Sequence, residues 1–575
     1  MTDKKNVLFL SVPNVSLLAK RTNNIINSGS IAVAGGLEFS GFNVDQYDLN
    51  AKLNTYRKKI NNFELCDDDY NVLLNIDKLK DFLVIDEHSE SYLPHLTNWL
   101  LQDIDVNSYD IIAMSMVTPL SSELWAVTST LHFTIILTSF IRENYNVDKI
   151  YVGGHQTLKW LTGEYQDRIF NEIDDKHCPT SFILKFAENS FGDFLNSETQ
   201  QRVVTLQKDI TLQYKNYSKP EFKNNSEVLT TPNEFMPEKL LEKYSKLKTV
   251  EPFQLYPYKF TVGCKFKCTF CQMAPLLDFI TLSPSNTVDH LEEMADRGVK
   301  HFKFFNDQIN FKKVWLMEFC NEIIKRNLKI TWSDSANLRL GNKEIYDTIK
   351  EAGCIKLWYG TESINDDILK VIRKNVTVDR IKENLQLAHD AGIFNSCNFI
   401  INFPHETDEQ FWELVNFIKE YAMEKKIING YKINIFMLGP ETVYQTNPDK
   451  MGIELIQDGK FEGEIHYNEK NGKTWKEIVQ AGIEKREIME SGLLYSVDQK
   501  EIRMNDFVLV ALHKAKYTTN EIFQFYNDIE NILSEEEQYQ WVKGNCWDGW
   551  DILTEESQEK IHKYNVQNER NPFFK

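Results

Sequence analysis

The sequence contains neither a long apolar run nor an excess of basic residues. Its most apolar stretch, Ala126–Ile141, includes His132 and several hydroxyl side chains. That stretch is shorter than the ~20 apolar residues that a membrane span requires, so it predicts a buried helix and no membrane span. The 65 Lys and Arg residues are outnumbered by 84 Asp and Glu residues, which gives a net charge of −19. A nucleic-acid surface needs a basic face that displaces counterions, so this balance argues against nucleic acid as a partner.

The N-terminal segment also lacks the pattern of a secretory signal. Met1–Asn6 is charged, and the apolar run Val7–Val12 is too short for a signal core. The nine cysteines are an odd number, which is not typical of a disulfide framework. These features predict a cytoplasmic protein. Six of the cysteines are scattered and are typical of buried packing residues, whereas three are crowded into eight residues.

Strand-like and helical patterns divide the chain into four predicted parts. Residues 1–200 alternate apolar strands with helices and carry a helical insertion, which predicts a parallel sheet covered by helices on both faces. Residues 201–257 are polar and predict a linker. Residues 258–455 contain six strand–helix units, beginning with a strand at Lys259–Val262, and fit a partial (β/α)6 barrel. Residues 456–575 are acidic and predict a mainly helical region. The predicted fold class is therefore α/β.

The three crowded cysteines are Cys264, Cys268 and Cys271, and they form a Cys-x3-Cys-x2-Cys pattern after the first predicted barrel strand. Three thiolates on one loop can bind three irons of a cubane cluster. The fourth iron then has no protein ligand, and an open coordination site is what substrate chemistry needs. Structural zinc usually takes a second cysteine pair, which the sequence does not provide. The pattern favours a [4Fe-4S] cluster, and a zinc-bound interaction protein is the non-enzymatic alternative.

This motif, with the aromatic Phe270 just before the last cysteine, resembles that of the radical S-adenosylmethionine (SAM) superfamily. The resemblance implies a partial (β/α)6 barrel, which agrees with the strand count above. It also implies that the cluster cleaves SAM to a 5′-deoxyadenosyl radical, with electrons from an external donor such as flavodoxin or ferredoxin. Phe270 is expected near the adenine of SAM.

Three further segments extend the resemblance and provide candidate SAM-binding residues. Asp307 ends the second barrel strand, where the family places groups that bind the methionine amine. Arg339 ends a segment similar to one in the cobalamin-binding branch, and its planar guanidinium suits the methionine carboxylate. Glu362 lies in Gly360–Ser363, which is similar to the family's Gly-x-Glu-Ser, and it could accept hydrogen bonds from SAM. The alternatives are a surface arginine at a helix start for Arg339 and a helix N-terminal acid for Glu362.

One turn departs from the family pattern. Asn402–Thr407 parallels a Gly-x-Pro-Gly-Glu-Thr turn, but Asn402 and His405 replace the two glycines. The conformation of this turn is therefore left open by the sequence. Thr407 and the acidic residues that follow it predict the start of a helix.

Two strands of the N-terminal region end in small residues, at the edge where ligands of parallel sheets bind. Ser115 and Thr118 offer hydroxyls to a buried polar group, and Gly153 and Gly154 let a flat ligand approach the backbone. This arrangement resembles a cobalamin-binding domain, which implies that these four residues line the channel for the nucleotide tail. No histidine follows the first strand, so cobalamin is expected to bind without a histidine below the cobalt. The alternative is a sheet that has kept the fold and lost the cofactor.

The resemblance covers about residues 1–455 and implies a cobalamin-dependent radical SAM methyltransferase of class B. Its expected substrate is an unactivated carbon or phosphorus of a small molecule or peptide. A cyclase or rearrangement enzyme with the same cofactors stays open, as does a radical SAM enzyme whose N-terminal domain is only a scaffold. A methylthiotransferase acting on RNA is disfavoured, because Cys66 and Cys178 lack neighbouring cysteines and the tail is acidic. The sequence predicts no catalytic acid or base.

Overall fold

The chain folds into two compact units in a computed structural model. The first unit comprises Met1–Leu229 with Trp547–Lys563, and the second comprises Thr230–Cys546 with Tyr564–Lys575. The structure describes residues 4–13, 28–53, 65–85, 91–116, 124–154, 163–184, 187–197, 201, 203–205, 236–271, 279–439, 441–456, 465–492, 506–534 and 537.

The first unit is built on a six-stranded sheet whose order is β2-β1-β3-β4-β5-β6 and whose neighbouring strands are all parallel. The strands are β1 (Asn6–Val12), β2 (Asn43–Asp48), β3 (Ile111–Met116), β4 (Ile150–Gly153), β5 (Ser181–Leu184) and β6 (Val203–Thr205). The helices are α1 (Ser28–Phe39), α2 (Asp67–Leu74), α3 (Ile76–Val84), α4 (Leu93–Leu101), α5 (Leu124–Asn144), α6 (Gly163–Glu172) and α7 (Ala187–Asn196). The predicted alternation of strands and helices is confirmed, and the almost continuous burial of β1 is typical of a parallel strand covered on both faces.

The apolar stretch of the sequence forms the helix α5, as predicted. Two of its buried hydroxyls bond within the helix: Thr134 and Thr138 donate to the carbonyls of Thr130 and Thr134, at 2.7 and 2.8 Å. The ring Nδ1 of His132 lies 3.0 Å from the carbonyl oxygen of Val72. Among the described residues, no helix is both long and apolar enough to cross a membrane.

The second unit contains a six-stranded parallel sheet of order β14-β13-β12-β11-β10-β7. Its strands are β7 (Tyr256–Tyr258), β10 (His301–Phe304), β11 (Thr331–Ala336), β12 (Cys354–Glu362), β13 (Phe394–Ile401) and β14 (Gly430–Ile435). Two small antiparallel ladders join β8 (Thr261–Val262) to β9 (Ile280–Thr281) and β15 (Ile453–Leu455) to β16 (Tyr467–Glu469). The order of the parallel strands is that of a partial barrel, as predicted.

The position of the first barrel strand differs from the prediction. The strand is Tyr256–Tyr258, and Thr261–Val262, within the predicted segment Lys259–Val262, pairs with Ile280–Thr281 outside the main sheet. Pro257 is tolerated in this strand because β7 is an edge strand that pairs only with β10.

Helices follow the barrel strands and continue into the C-terminal region. They are α8 (Glu238–Lys243), α9 (Pro284–Asp296), α10 (Lys313–Lys325), α11 (Lys343–Glu351), α12 (Asp366–Val371), α13 (Val378–Asp390), α14 (Asp408–Ile418), α15 (Val443–Thr446), α16 (Trp475–Gly492), α17 (Asp506–Lys514) and α18 (Thr519–Ile532). Thr407 caps α14 through a reciprocal pair of hydrogen bonds with Gln410, which confirms the predicted helix start.

The C-terminal helix α17 places a carboxylate against the barrel strands. Lys303, Ser333 and Lys356 are each the third residue of their strands and lie side by side in the register of β10, β11 and β12. The Nζ of Lys303 lies 2.7 Å from Oδ2 of Asp506, and the Nζ of Lys356 lies 4.0 Å from its Oδ1. Asp506 and Lys356 are 3% and 2% exposed, so this is a buried charge cluster near the amino ends of the strands.

Candidate functional site

The three motif cysteines lie on one loop, Gly263–Cys271, hereafter the cysteine loop. Gly263 begins it with a φ of +74°, a conformation that favours glycine. All three cysteines are half-buried. Thr269 fixes the middle of the loop, because its N–H donates to the carbonyl of Ile372 at 3.1 Å and its carbonyl accepts from the N–H of Val443 at 3.0 Å.

Arg339 lies against the cysteine loop. Its Nη2 is 3.9 Å from the Sγ of Cys268, and its guanidinium carbon is 3.8 Å from the ring centre of Phe266. Its N–H groups also donate to the carbonyls of Arg373 and Lys374. The guanidinium predicted to meet a carboxylate is therefore beside the motif cysteines and is not a free surface group.

Asp307 lies at the carboxyl end of β10 and is also close to the cysteine loop. Burial raises its pKa, and Lys259 only partly offsets this rise. Burial likewise raises the pKa of Cys264, and the nearby carboxylate of Asp307 contributes to that rise. The Oδ2 of Asp307 is buried and has no hydrogen-bond partner among the described residues. A buried carboxylate without a partner is costly, so this oxygen is suited to a cationic ligand.

Glu362 lies at the carboxyl end of β12 with a φ of +64°. Its Oε1 accepts a 2.9 Å hydrogen bond from the Nζ of Lys374, and both side chains are largely buried, at 12% and 5% exposed. A Cβ at Gly360 would lie 2.6 Å from this oxygen, so the glycine of the Gly-x-Glu pattern makes room for the ion pair. The carboxylate of Glu362 is thus fixed by Lys374 and does not cap a helix.

The turn after β13 keeps left-handed conformations where the family has glycines. Asn402 and His405 have φ values of +61° and +63°. Each side chain makes a contact that glycine could not make: Nδ2 of Asn402 donates to the carbonyl of Ile478, and Nε2 of His405 lies 2.8 Å from the carbonyl oxygen of Gly452. The turn is therefore left-handed at both positions, and its side chains join it to Ile478 and Gly452.

Glu406 in the same turn forms a second buried ion pair. Its Oε2 accepts from the Nζ of Lys485 at 2.6 Å and from the backbone N–H of Asn402 at 2.9 Å. The two side chains are 4% and 6% exposed. Phe403 lies between Asn402 and Glu406 in the turn. Its ring meets that of Phe270 edge-on, with the two ring centres 6.0 Å apart. Phe270, the residue expected near adenine, therefore joins the cysteine loop to this turn.

Single-ion metal sites were the alternative for the cysteine motif. Among the described residues, no three histidine, cysteine or acidic side chains are placed to hold one metal ion. A tetrahedral zinc ion requires ligands that meet around one point. The thiolates of a cubane cluster each bind a different iron. The absence of such a group among the described residues therefore bears on a single zinc ion and does not test the predicted cluster.

The candidate residues of the first unit lie at the carboxyl edge of its sheet. In the register, Ser115 of β3 is flanked by Ser11 of β1 on one side and Gly153 of β4 on the other. The hydroxyl of Ser11 donates to that of Ser30 at 3.1 Å. The strand order reverses between β1 and β3, which is where flavodoxin-like sheets bind ligands. Thr118 lies outside the described residues.

Gly154 is required by the sheet itself. Its φ is +134°, and a Cβ there would lie 2.8 Å from the backbone oxygen of Met116. At Gly153 a Cβ would meet Ile183 only at ordinary contact distance, 3.4 Å. Of the two predicted glycines, Gly153 is thus the one whose missing side chain is not explained by local packing.

Comparison with known proteins identifies the second unit. Residues 258–418 match the family model of the Radical SAM superfamily. The chain therefore carries a radical SAM domain, and the resemblance of its cysteine motif to that superfamily is confirmed. The solved structure of the cobalamin-dependent S-adenosylmethionine radical enzyme OxsB with aqua-cobalamin bound is similar over 98% of this chain and 76% of that one. With a TM-score of 0.54 and 13% identity, this match shows a shared fold and confirms the α/β fold class.

Sequence relatives cover smaller parts of the chain. An uncharacterized methyltransferase of Pyrococcus horikoshii is 25% identical over 50% of this chain and 63% of its own length. The anaerobic magnesium-protoporphyrin IX monomethyl ester cyclase of Rubrivivax gelatinosus is 28% identical over 28% of this chain and 30% of its own length. The chain thus spans less than two thirds of the length of either relative.

Sequence reasoning missed several polar residues that the fold brings to the site. Asn306, Asp334 and Lys374 are buried beside the residues that were predicted, and Ser11 aligns with Ser115 in the sheet. A signal for one of them was present, because Asn306 directly precedes Asp307. Asp334 lies between Ser333 and Ser335 in a largely polar strand and gave no comparable signal. Lys374 and Lys485 had no such signal, because their partners are distant in sequence.

Proposed function

We propose that this protein is a cobalamin-dependent radical SAM enzyme that transfers a methyl group to an unactivated carbon or phosphorus of a small molecule or peptide. Cys264, Cys268 and Cys271 would hold a [4Fe-4S] cluster, whose chemistry when bound is the one-electron cleavage of SAM. The first unit would hold cobalamin as the methyl carrier. A low-potential carrier of the cytoplasm, such as flavodoxin or ferredoxin, would supply the electron.

The observation that carries the proposal is the buried, unpartnered Oδ2 of Asp307 beside the cysteine loop. The SAM amine offers N–H donors, which are the partner that the buried Oδ2 lacks. Arg339, next to Cys268, would meet the SAM carboxylate through its guanidinium. Glu362, held by Lys374, would accept from the ribose or amine, and Phe270 would lie against the adenine. The carboxyl end of a barrel is where functional residues gather.

Cobalamin binding is supported by the edge of the first sheet. The aligned Ser11, Ser115 and Gly153 provide hydroxyls and an open backbone at the strand-order reversal. We assign Ser115, Thr118, Gly153 and Gly154 to the nucleotide-tail channel, with Gly154 acting through the backbone geometry that it alone permits. The structural match to a cobalamin-dependent enzyme supports the fold that this role needs.

A second candidate function is a radical cyclisation or rearrangement with the same cofactors. The similarity to an anaerobic cyclase of Rubrivivax gelatinosus favours this alternative. Product analysis separates the two, because only methyl transfer adds a methyl group to the substrate and yields S-adenosylhomocysteine.

Anaerobic purification with added cobalamin, followed by cluster reconstitution, tests the proposal. We expect about four irons, four sulfides and one corrin per chain. Cys268→Ala should abolish the cluster. Cys320→Ala is the matched control, because Cys320 is fully buried in the helix α10 and is not part of the motif, and this variant should retain the cluster. Four irons without corrin would rule out methyl transfer through cobalt and reduce the first unit to a scaffold. Zinc without sulfide would overturn the enzymatic proposal.

Exposed cations of this chain provide a surface to which an acidic electron donor could bind. It is formed by Lys265, Lys267, Lys370, Val371 and Arg373 and is hereafter called the basic surface. The four cations are exposed and Val371 is 52% exposed. The surface adjoins the cysteine loop, because the Sγ of Cys268 lies 4.0 Å from the carbonyl of Arg373. Because the protein has a net charge of −19, an acidic carrier would be repelled by most of its surface and attracted by the basic surface.

Reversing charge on the basic surface should slow the reduction of the cluster by a protein donor. We expect Lys267→Glu with Arg373→Glu to lower the rate of reduction by reduced flavodoxin about tenfold at low salt. The difference should disappear at high salt, where charges are screened. Reduction by dithionite should be unchanged. Lys325→Glu with Lys343→Glu makes the same change in net charge and is the control; an equal effect of this pair would exclude a specific docking surface.

A further inference from the structure

Asn306 contacts the segment that leads into the cysteine loop. Its Oδ1 accepts three hydrogen bonds: from the N–H of Phe260 at 3.1 Å, and from the N–H and hydroxyl of Thr261 at 2.9 Å each. Asn306 is 3% exposed. Water therefore does not compete for these bonds, and the amide oxygen of one side chain holds the two residues that precede Val262 and Gly263.

Asp334 in turn fixes the orientation of Asn306. Its Oδ2 accepts from the Nδ2 of Asn306 at 2.7 Å, and its Oδ1 accepts from the backbone N–H of Asn306 at 3.2 Å and of Ser335 at 2.8 Å. Asp334 is 1% exposed. Because the backbone N–H groups of Phe260 and Thr261 can only donate, the amide oxygen of Asn306 must face them and its amide nitrogen must face Asp334.

The hydrogen bonds from Phe260 and Thr261 to Asn306 lie just beyond the point at which the ladder of the main sheet ends. The ladder between β7 and β10 ends at the pair Tyr258 and Phe304. The next strand, β8, has two residues and pairs only with the equally short β9. The chain between the barrel and Gly263 therefore has little main-chain pairing, and the side chain of Asn306 takes the place of a ladder at this point.

We propose that Asn306 and Asp334 are positioning residues for the cysteine loop, with Asp334 orienting Asn306 and Asn306 fixing the segment that carries Cys264. The identity of what the loop holds rests on the proposed function, whereas the positioning itself does not. The role of Asn306 and Asp334 is to keep the first thiol of the motif in place relative to the other two.

A reciprocal exchange of the two residues tests this relay. In Asn306→Asp two carboxylates face each other, and in Asp334→Asn two amide nitrogens face each other, so each single variant breaks the pair. In the double variant, the carboxylate at 306 accepts from Phe260, Thr261 and the new amide at 334, and the oxygen of that amide accepts from the backbone of 306 and Ser335. All the hydrogen bonds are restored with the same net charge.

Hydrogen exchange of the peptide spanning 259–268 in the cluster-free full-length protein is the first measurement. We expect each single variant to exchange about tenfold faster there, and the double variant to return to the wild-type rate. In reconstituted protein, the electron paramagnetic resonance spectrum and midpoint potential of the reduced cluster should shift in the single variants and return in the double variant. Asn310→Asp, at a buried asparagine that bonds Asn337 and not the loop, is the control.

The outcomes separate the relay from simple packing and from the proposed function. Single variants that unfold more readily but show wild-type exchange at 259–268 and an unchanged spectrum would overturn the relay. Faster exchange that the double variant does not reverse would also overturn it, because the bonds would then not be the cause. A wild-type protein that binds no cluster would refute the proposed function, while the exchange measurement would still decide the positioning role.

Discussion

Replacement of Asp506 by alanine is expected to lower the free energy of unfolding by about 3–5 kcal/mol. The carboxylate lies 2.7 Å from the Nζ of Lys303 and 4.0 Å from that of Lys356, and it is 3% exposed. Its removal would leave two ammonium groups buried with one anionic partner fewer, and an uncompensated buried charge is far more costly than the lost pair itself. Such a loss is a large part of the 5–15 kcal/mol that stabilises a typical domain.

A surface pair of the same chemistry provides the control. Lys470 and Asp449 are also 2.7 Å apart, but they are 43% and 89% exposed. Asp449→Ala should cost about 0–1 kcal/mol, since water replaces the lost partner. Denaturant unfolding followed by circular dichroism measures both variants. Equal small effects would show that α17 does not depend on its buried charge.

The pH dependence of this difference has a definite sign. Burial by itself raises the pKa of Asp506, but Lys303 and Lys356 outweigh burial and hold the pKa below its usual value. A group whose pKa is lowered on folding stabilises the protein above its unfolded-state pKa, about 3.9, and loses that contribution as the pH falls further. The gap between wild type and Asp506→Ala should therefore be constant near neutral pH and shrink below about pH 4.

Replacement of Asp307 by asparagine is expected to weaken SAM binding while stabilising the cluster-loaded protein that lacks SAM. A hydrogen bond between charged groups contributes about 1.5–3 kcal/mol, so loss of the partner for the SAM amine should raise the Kd roughly 10- to 100-fold. Burial raises the pKa of Asp307, so the ionised carboxylate costs folding free energy at neutral pH. Asparagine has the same shape and removes that cost.

Calorimetric titration of SAM into anaerobic, reconstituted protein gives the affinity, and thermal unfolding without SAM gives the stability. Asp289→Asn is the control, because Asp289 is 55% exposed and pairs with Arg326 on the barrel surface. It should leave the Kd unchanged and stability nearly so. If Asp307→Asn destabilises the protein and binds SAM as the wild type does, Asp307 is a structural residue. The proposed function then loses its main support, which is the unpartnered oxygen of Asp307.

The sequence predicted those parts of the fold whose signals are local. Apolar strand runs followed by helical patterns gave most strands of both sheets, because parallel strands buried on both faces are almost continuously apolar. The strand β6 (Val203–Thr205) was missed, because it lies in the polar segment that was predicted as a linker. The first barrel strand was misplaced because the apolar and aromatic residues of Tyr256–Val262 continue on both sides of Lys259, and nothing local shows that pairing changes after Tyr258. Only the approach of Ile280–Thr281 determines that break.

Contacts between distant residues could not be predicted in the same way. The cysteine motif identified its loop because three ligands lie within eight residues. The partner of Glu406 lies 79 residues away, and that of Lys303 lies 203 residues away, so no spacing rule relates them. The turn at Asn402 and His405 shows another limit: the sequence left its conformation open, whereas the structure has both residues in the left-handed region, with side-chain contacts to Ile478 and Gly452.

The pairing of Lys303 with Asp506 also sets the order of events during translation. Because 203 residues separate the two, every strand of the barrel leaves the ribosome well before the carboxylate that neutralises its buried lysines. Until α17 emerges, Lys303 and Lys356 keep their water, and the amino ends of the strands stay open to solvent. The nascent barrel is therefore expected to remain a protease-sensitive intermediate until α17 has emerged. Ribosome-bound chains arrested before and after residue 506 would differ in their resistance to proteolysis accordingly.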